Sequence, residues 1–295
     1  MEIEIKNLSK SYGKREVLKN ISLNLETGMY GLLGKNGAGK TTLMRILATL
    51  LLPDAGSVTM DGVDIRDKKK IRGMVGYLPQ EFSMYPNMRV AEAMDYLGIL
   101  AELPRGVRRE RIAGLLKNVN LEQEKNRRIK DLSGGMKRRF GIAQALLNDP
   151  KILIADEPTA GLDPEERVRF GNLLASYARD RIVLLSTHIV NDIETNCERL
   201  AVLNGGRILY QGKTADLLKL AAGKVFRAEV APEEFERIKM QYRVIHMQQH
   251  GDRITCRFLC EQAQKEKYIP CTPTIEDAYI RLLQRGEEAF EDAVV

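Results

Sequence analysis

Gly34-Lys35-Asn36-Gly37-Ala38-Gly39-Lys40-Thr41 decides the fold of this chain. Backbone N–H groups converge on a phosphate only where side chains are absent, and Gly34, Gly37 and Gly39 supply those gaps. Lys40 offers a cation to the β- and γ-phosphates of a nucleoside triphosphate, and Thr41 a hydroxyl for its magnesium. Lys35, Asn36, Ala38 and Thr42 complete the expected nucleotide contacts. Upstream, Tyr30 to Leu33 reads as a short buried strand; downstream, Thr41 to Leu50 reads as a helix. Strand, glycine loop and helix in that order form a phosphate site rather than an idle glycine turn.

Two further stretches carry chemistry. Lys151-Ile152-Leu153-Ile154-Ala155-Asp156-Glu157 is an apolar strand ending in two carboxylates. Asp156 is placed to hold magnesium, directly or through water, and Glu157 to polarise an attacking water as general base. Leu132-Ser133-Gly134-Gly135-Met136 opens a helix with Phe140, Ala143 and Leu147 on one face, a second helix N-terminus suited to an anion. One chain then carries two unlike phosphate-binding ends. The economical arrangement is two copies head to tail, each triphosphate pinned between the glycine loop of one and Ser133, Gly134 and Gly135 of the other.

This constellation resembles the ATP-binding subunit of ABC transporters, over roughly residues 1 to 220, with the motifs in the family's order. Pro158-Thr159 and Gly161-Leu162-Asp163-Pro164 follow the carboxylate pair at the family's spacing. The resemblance implies an α/β fold, a P-loop NTPase ABC cassette with an inserted helical subdomain at about 86–147 and a small C-terminal α+β domain. It assigns Gln80 as the glutamine that senses magnesium, His188 as the switch histidine contacting the γ-phosphate, and Tyr12 as the aromatic that stacks on adenine. Met136 stands where the family most often has glutamine. Pro273-Thr274-Ile275-Glu276-Asp277-Ala278-Tyr279 looks like the C-terminal segment of ATPase subunits serving bacterial exporters of drugs, antibiotics and cell-surface polymers. The implied function is ATP hydrolysis that powers export through a separate integral membrane permease. The implied partners are that permease and a second copy of the chain or a related ATPase subunit. The alternative is a soluble ABC ATPase acting on ribosomes or nucleic acid, disfavoured by a single cassette with no long coiled-coil or zinc insertion.

A length of 295 residues suggests a main domain, 1–222, and a smaller accessory domain, 223–295, ending in an acidic tail, Gly286–Val295, expected to fray. In the main domain, strands are expected at Val17–Leu25, Ser57–Met60 and Met74–Leu78. Helical stripes follow at Val90, Met94, Leu97, Ala101 and at Ile112, Leu115, Leu116, Val119. Past 225 one clear amphipathic helix stands out, with Ile275, Ala278, Tyr279, Leu282 and Leu283 on a face and a Thr274/Asp277 capping box.

The longest apolar run, Ile46–Leu52, falls far short of the ~20 residues that cross a bilayer. Met1-Glu2-Ile3-Glu4-Ile5-Lys6 alternates like a strand, unlike a signal peptide. The expected location is cytoplasmic, at the inner face of the membrane through the permease. The net charge of +6 includes clusters at Lys68–Lys70, Arg108-Arg109, Arg127-Arg128 and Lys137-Arg138-Arg139, most of them read as solvated helix faces and loops, with nucleic acid and the anionic inner leaflet of a membrane as the two sharper readings. Few aromatics interleave with them, so no nucleic acid is expected. Cys256, Cys260 and Cys271 could approach a metal, yet no histidine completes the set, and buried or idle thiols are expected. Phe82, Met84 and Tyr85, just after Gln80, read as a contact for the permease, with packing under the helical insertion as the competing role for Phe82.

Overall fold

The computed structural model describes residues 1–261 and 268–291 and divides into two units, Met1–Gln211 and Gly212–Val295. The first unit opens with β1 (Glu2–Tyr12), β2 (Arg15–Glu26) and β3 (Gly28–Leu33), then α1 (Lys40–Leu47), β4 (Ala55–Met60) and β5 (Val63–Asp64). A short α2 (Lys68–Met74) leads into β6 (Val75–Leu78), followed by α3 (Val90–Leu100), α4 (Arg105–Asn118) and α5 (Gly134–Leu146). The α/β alternation then resumes with β7 (Ile152–Asp156), α6 (Pro164–Tyr177), β8 (Ile182–Thr187), α7 (Val190–Asn196), β9 (Arg199–Asn204) and β10 (Arg207–Lys213).

Two sheets form here. Strands β2-β1-β4-β5 make an antiparallel sheet, and β10-β9-β3-β8-β7-β6 a second one whose neighbours β9, β3, β8, β7 and β6 run parallel. One apolar core joins Ile3, Ile5, Ile21 and Leu23 of the antiparallel sheet to Leu43, Met44 and Leu47 of α1 and to Ile152, Ile154, Ile182 and Leu184. On the opposite face of the parallel sheet, Leu185 lines a small apolar cavity together with Phe170 and Leu174 of α6 and Ile193 of α7. Covered on both faces, β7 and β8 are buried at every residue, which is why they read as unbroken apolar runs.

Parallel pairing also decides where function sits. Leu78 lies level with Ala155, Asp156 with Ser186, and Leu33 with Thr187. The segments leaving β6, β7, β8 and β3 therefore emerge along one sheet edge, the crevice where α/β sheets place ligands.

Four sequence expectations are corrected. Helix α1 stops at Leu47, short of Leu50, because Thr49 takes a left-handed φ of 60° and the N–H groups of Thr49 and Leu50 turn back onto the carbonyls of Ile46 and Arg45. Met74 ends α2 rather than starting a strand. That helix is capped by Asp67 and buries only Ile71, so it has no apolar stripe to read. In the helical insertion the buried line of α3 is Val90, Ala93, Met94 and Gly98, leaving Leu97 and Ala101 half-buried. The fourth concerns the basic runs: Arg138 is buried, only 6% exposed, not solvated.

The second unit holds α8 (Thr214–Lys219), β11 (Val225–Val230), α9 (Pro232–Gln241), β12 (Arg243–His250), β13 (Arg253–Leu259), β14 (Ile269–Pro270) and α10 (Ile275–Glu291), its sheet ordered β12-β13-β11-β14. Helix α9 joins α10 as a second amphipathic helix of at least ten residues, burying Phe235 and Ile238. Its start was legible as Pro232 at the first turn with Glu233 and Glu234 behind it. The capping box of α10 forms: Asp277 Oδ2 accepts from the Thr274 N–H at 2.7 Å, and Thr274 Oγ1 from the Asp277 N–H at 3.3 Å. Helix α10 continues to Glu291 through part of the segment expected to fray, and residues 292–295 lie outside the described residues. Cys256 and Cys260 sit in an apolar cluster with Phe226, Phe258 and Tyr268. Among the described residues no group of three potential ligands for a metal is found, and the four cysteines form no disulfide. Burial pushes the Cys256 thiol up and Cys197 to about 12, leaving both unreactive.

Candidate functional site

The glycine loop follows β3 directly, and its bend depends on Gly39, which holds φ at 110° and caps α1. A Cβ there would lie 2.8 Å from Leu18 Cδ2 and 3.0 Å from the Val17 carbonyl oxygen. We expect Gly39→Ala to cost about 1–3 kcal/mol and to weaken nucleotide binding, measured by thermal unfolding and by titration with a fluorescent ATP analogue. An unchanged affinity would show that the loop tolerates the strain.

Lys40 opens α1 and is buried. Its Nζ donates to the Gly34 carbonyl at 2.6 Å and to the Lys35 carbonyl at 3.4 Å, and lies 3.7 Å from Glu157 Oε1. Burial lowers the Lys40 pKa, opposed by the charges of Glu157 and Asp156. The Ala38 N–H is spent on the Lys35 carbonyl at 3.1 Å within the loop itself. Lys35, Asn36, Gly37, Gly39, Lys40, Thr41 and Thr42 line an open cleft of about 450 Å³ together with Gln80, Glu157, Arg15 and Val17. That is room for a nucleotide.

At the end of β7 the two carboxylates diverge. Asp156 is fully buried and its Oδ1 accepts from the Ser186 hydroxyl of β8. Glu157 takes a left-handed φ of 51°, and its N–H donates to Ser186 O and Oγ, each at 3.1 Å. A non-glycine residue in that conformation is held there by its surroundings. The turn carries the Glu157 side chain to His188, whose Nδ1 lies 2.9 Å from Oε1. Asp156 Oδ2 and Glu157 Oε2 are buried without a hydrogen-bond partner among the described residues. Such oxygens are costly to leave unpaired, so they suit a cation or a water.

Lys40, Thr41, Gln80, Asp156, Glu157 and His188 are thus brought to one edge of the parallel sheet. Two expected groups are not. Tyr12 ends β1, 48% exposed, opposite Arg15 in the β1–β2 turn, and does not line the cleft. Ser133 and Gly134 are exposed at the start of α5, where Ser133 Oγ caps the helix by accepting from the Met136 N–H at 3.2 Å.

Arg138 is the residue that sequence reasoning missed. One turn into α5, its guanidinium donates to the carbonyls of Pro79 and Gln80 after β6 and of Asp156, Glu157 and Pro158 at the end of β7. Its place in a basic run, Lys137-Arg138-Arg139, gave no signal that it faces inward.

The aromatics after Gln80 separate. Phe82 packs on Phe140 of α5, ring centroids 5.5 Å apart, whereas Tyr85 is 58% exposed and meets Tyr96 of α3 edge-on at 5.8 Å. Tyr85, Pro86, Met88, Glu92 and Tyr96 line a shallow open groove.

Residues 18–160 match the ABC transporter family model. The Nod factor export ATP-binding protein I of Rhizobium etli is 33% identical over 305 residues, spanning 97% of this chain and 94% of that protein. Among solved structures, the dimeric post-hydrolysis state of the ATP-binding cassette MJ0796 bound to ADP and Pi superposes with a TM-score of 0.67 at 30% identity, over 72% of this chain and 98% of that one. A bacterial Atm1-family ABC exporter with ATP bound gives 0.67 at 26% identity, over 74% of this chain and 39% of that one. With a glycine loop, a carboxylate pair and a histidine gathered on one sheet edge, and a relative alike along almost its whole length, the chain belongs to the ATP-binding proteins of the ABC transporter family and is an ATPase.

Proposed function

We propose that two copies of the chain, or this chain and a related subunit, close on ATP and that hydrolysis drives export through a separate membrane permease. The observation that carries the hydrolytic part is the left-handed turn at Glu157, which aims a buried carboxylate into the cleft of Lys40 and beside His188. Support for export comes from the relatives' names and from the segment Pro273–Tyr279. Support for a pair comes from the dimeric cassette and from the exposed serine-glycine turn. Among the described residues no helix is long and apolar enough to cross a membrane. In this reading the transport path belongs to the permease, with this subunit at its inner face.

In this reading Lys40 and the loop amides hold the β- and γ-phosphates, and Tyr12 stacks on adenine when the nucleotide enters. Asp156, Thr41 and Gln80 offer hard oxygen donors, and the unpaired Asp156 Oδ2 fits a magnesium ion, which would neutralise charge on the phosphate oxygens. Glu157 takes a proton from the attacking water, while His188 orients that carboxylate and approaches the γ-phosphate. Ser133, Gly134 and Gly135 complete the site from the partner copy. The decisive experiment is purification of the chain with its membrane partner from detergent extracts, followed by ATP-dependent transport in vesicles. A preparation that carries ribosomal RNA in place of a membrane protein would overturn the assignment.

The exposed groove at Tyr85 is assigned to the permease. Tyr85→Ser is expected to leave the melting temperature and isolated ATPase unchanged while co-purification with the permease and transport fall together. Phe82→Ser instead removes a ring packed on Phe140 and is expected to destabilise the subunit by about 2–4 kcal/mol. Equal loss of stability in both variants would place Tyr85 in the core and the docking surface elsewhere.

A further inference from the structure

A guanidinium has five N–H donors, and Arg138 spends all of them on main-chain carbonyls. Nη1 donates to Pro79 at 2.6 Å and Gln80 at 3.0 Å, Nη2 to Glu157 at 2.6 Å and to Asp156, and Nε to Pro158 at 3.1 Å. The acceptors belong to two segments far apart in sequence, one leaving β6 and one leaving β7. Both emerge at the carboxyl edge of the parallel sheet, where the carbonyls have run out of strand partners. The cation is buried, and burial pushes its pKa down to about 10, offset by the nearby charges of Asp156 and Glu157. A buried charge is an expensive way to satisfy carbonyls if stability is all that is needed. Here it fixes the backbone of the residue in the strained left-handed conformation: Glu157 is held by Arg138 at its carbonyl and by Ser186 at its N–H.

We propose that Arg138 is a positioning residue for hydrolysis, holding the main chains of Glu157 and Gln80 in one frame so that general base and glutamine stay aimed at the same phosphate. The proposal rests on the reading of Glu157 as general base. Because Arg138 lies on α5, whose N-cap is Ser133, the same side chain also ties the turn offered to the partner copy to the base in its own cleft.

The test uses the full-length chain as wild type, Arg138→Lys and Arg138→Gln, each also combined with Glu157→Gln. Turnover, KM for ATP and the stoichiometry of ATP-analogue binding are measured together. Lysine keeps the charge but offers one nitrogen with three donors in place of a five-donor fork, and glutamine keeps neither charge nor reach. Both variants are expected to lose kcat by about tenfold to a hundredfold, glutamine the more, because small misplacement of a reacting group has effects of that size. KM and binding stoichiometry stay near wild type, since Lys40 and the glycine loop are untouched. In the Glu157→Gln background the Arg138 substitutions add little, the group they position being gone. Full turnover in Arg138→Gln would overturn the proposal. So would a loss of kcat that tracks loss of binding sites, or one that adds fully to Glu157→Gln. An inactive wild-type chain would overturn the hydrolytic reading itself, and this proposal with it; an active wild type beside unaffected Arg138 variants overturns the proposal alone.

Discussion

Replacing Glu157 by glutamine is expected to lower steady-state ATP hydrolysis by about 10²–10⁴-fold while leaving ATP binding intact. The amide has the shape of the carboxylate, so the left-handed turn, with its N–H held by Ser186 and its carbonyl by Arg138, is undisturbed. What disappears is the proton acceptor that lies 2.9 Å from His188 and 3.7 Å from Lys40. Losing the negative charge beside Lys40 also removes a competitor for that ammonium, so ATP affinity should hold or rise. The measurements are turnover, nucleotide titration and ATP-dependent dimerisation by size-exclusion. A variant that hydrolyses at near-normal rate would remove Glu157 from the mechanism and leave the base to another group.

The second large effect is expected from variants that fail singly and succeed together. Ser133→Arg places a bulky cation at the exposed N-cap of α5, whose first turn carries no acidic side chain to offset it, and should prevent the two copies from closing. Lys40→Ala removes the buried ammonium of the glycine loop. Each alone should cost about 10²-fold or more in turnover, the scale of losing one strong contact to developing charge. Mixed, the intact loop of the first variant can face the intact Ser133 of the second. One working site per mixed pair then returns, and hydrolysis rises well above either variant alone. Absence of any recovery would argue that each chain completes its own site.

The sequence by itself determined the elements whose partners are near neighbours. A glycine loop between strand and helix must turn where Gly39 permits φ of 110°, and the ensuing Lys40 is then fixed at the helix start. The apolar run of β7 must be buried, so Asp156 and Glu157 arrive at its tip. The helix beginning at Ile275 was legible from Thr274 and Asp277, three residues apart. In each case the physics acts over a few bonds, through backbone sterics, capping or the alternation of burial.

Tertiary structure alone decided what depends on contacts between distant segments. Arg138 reads as one more surface cation among three, yet its acceptors lie 18 to 59 residues away and meet only because β6 and β7 pair in parallel. Phe82 and Tyr85 are both aromatic and three positions apart; Phe140, brought over by α5, packs against the half-buried ring of one, while the other stays exposed. Helix α2 buries a single residue, so its existence rests on the Asp67 cap and on where Ile71 lands in the core. The strained φ of Glu157 belongs to a turn that the Ala160 N–H closes on the Glu157 carbonyl at 3.2 Å, but Ser186 and Arg138, neither a sequence neighbour, also take both ends of its peptide groups.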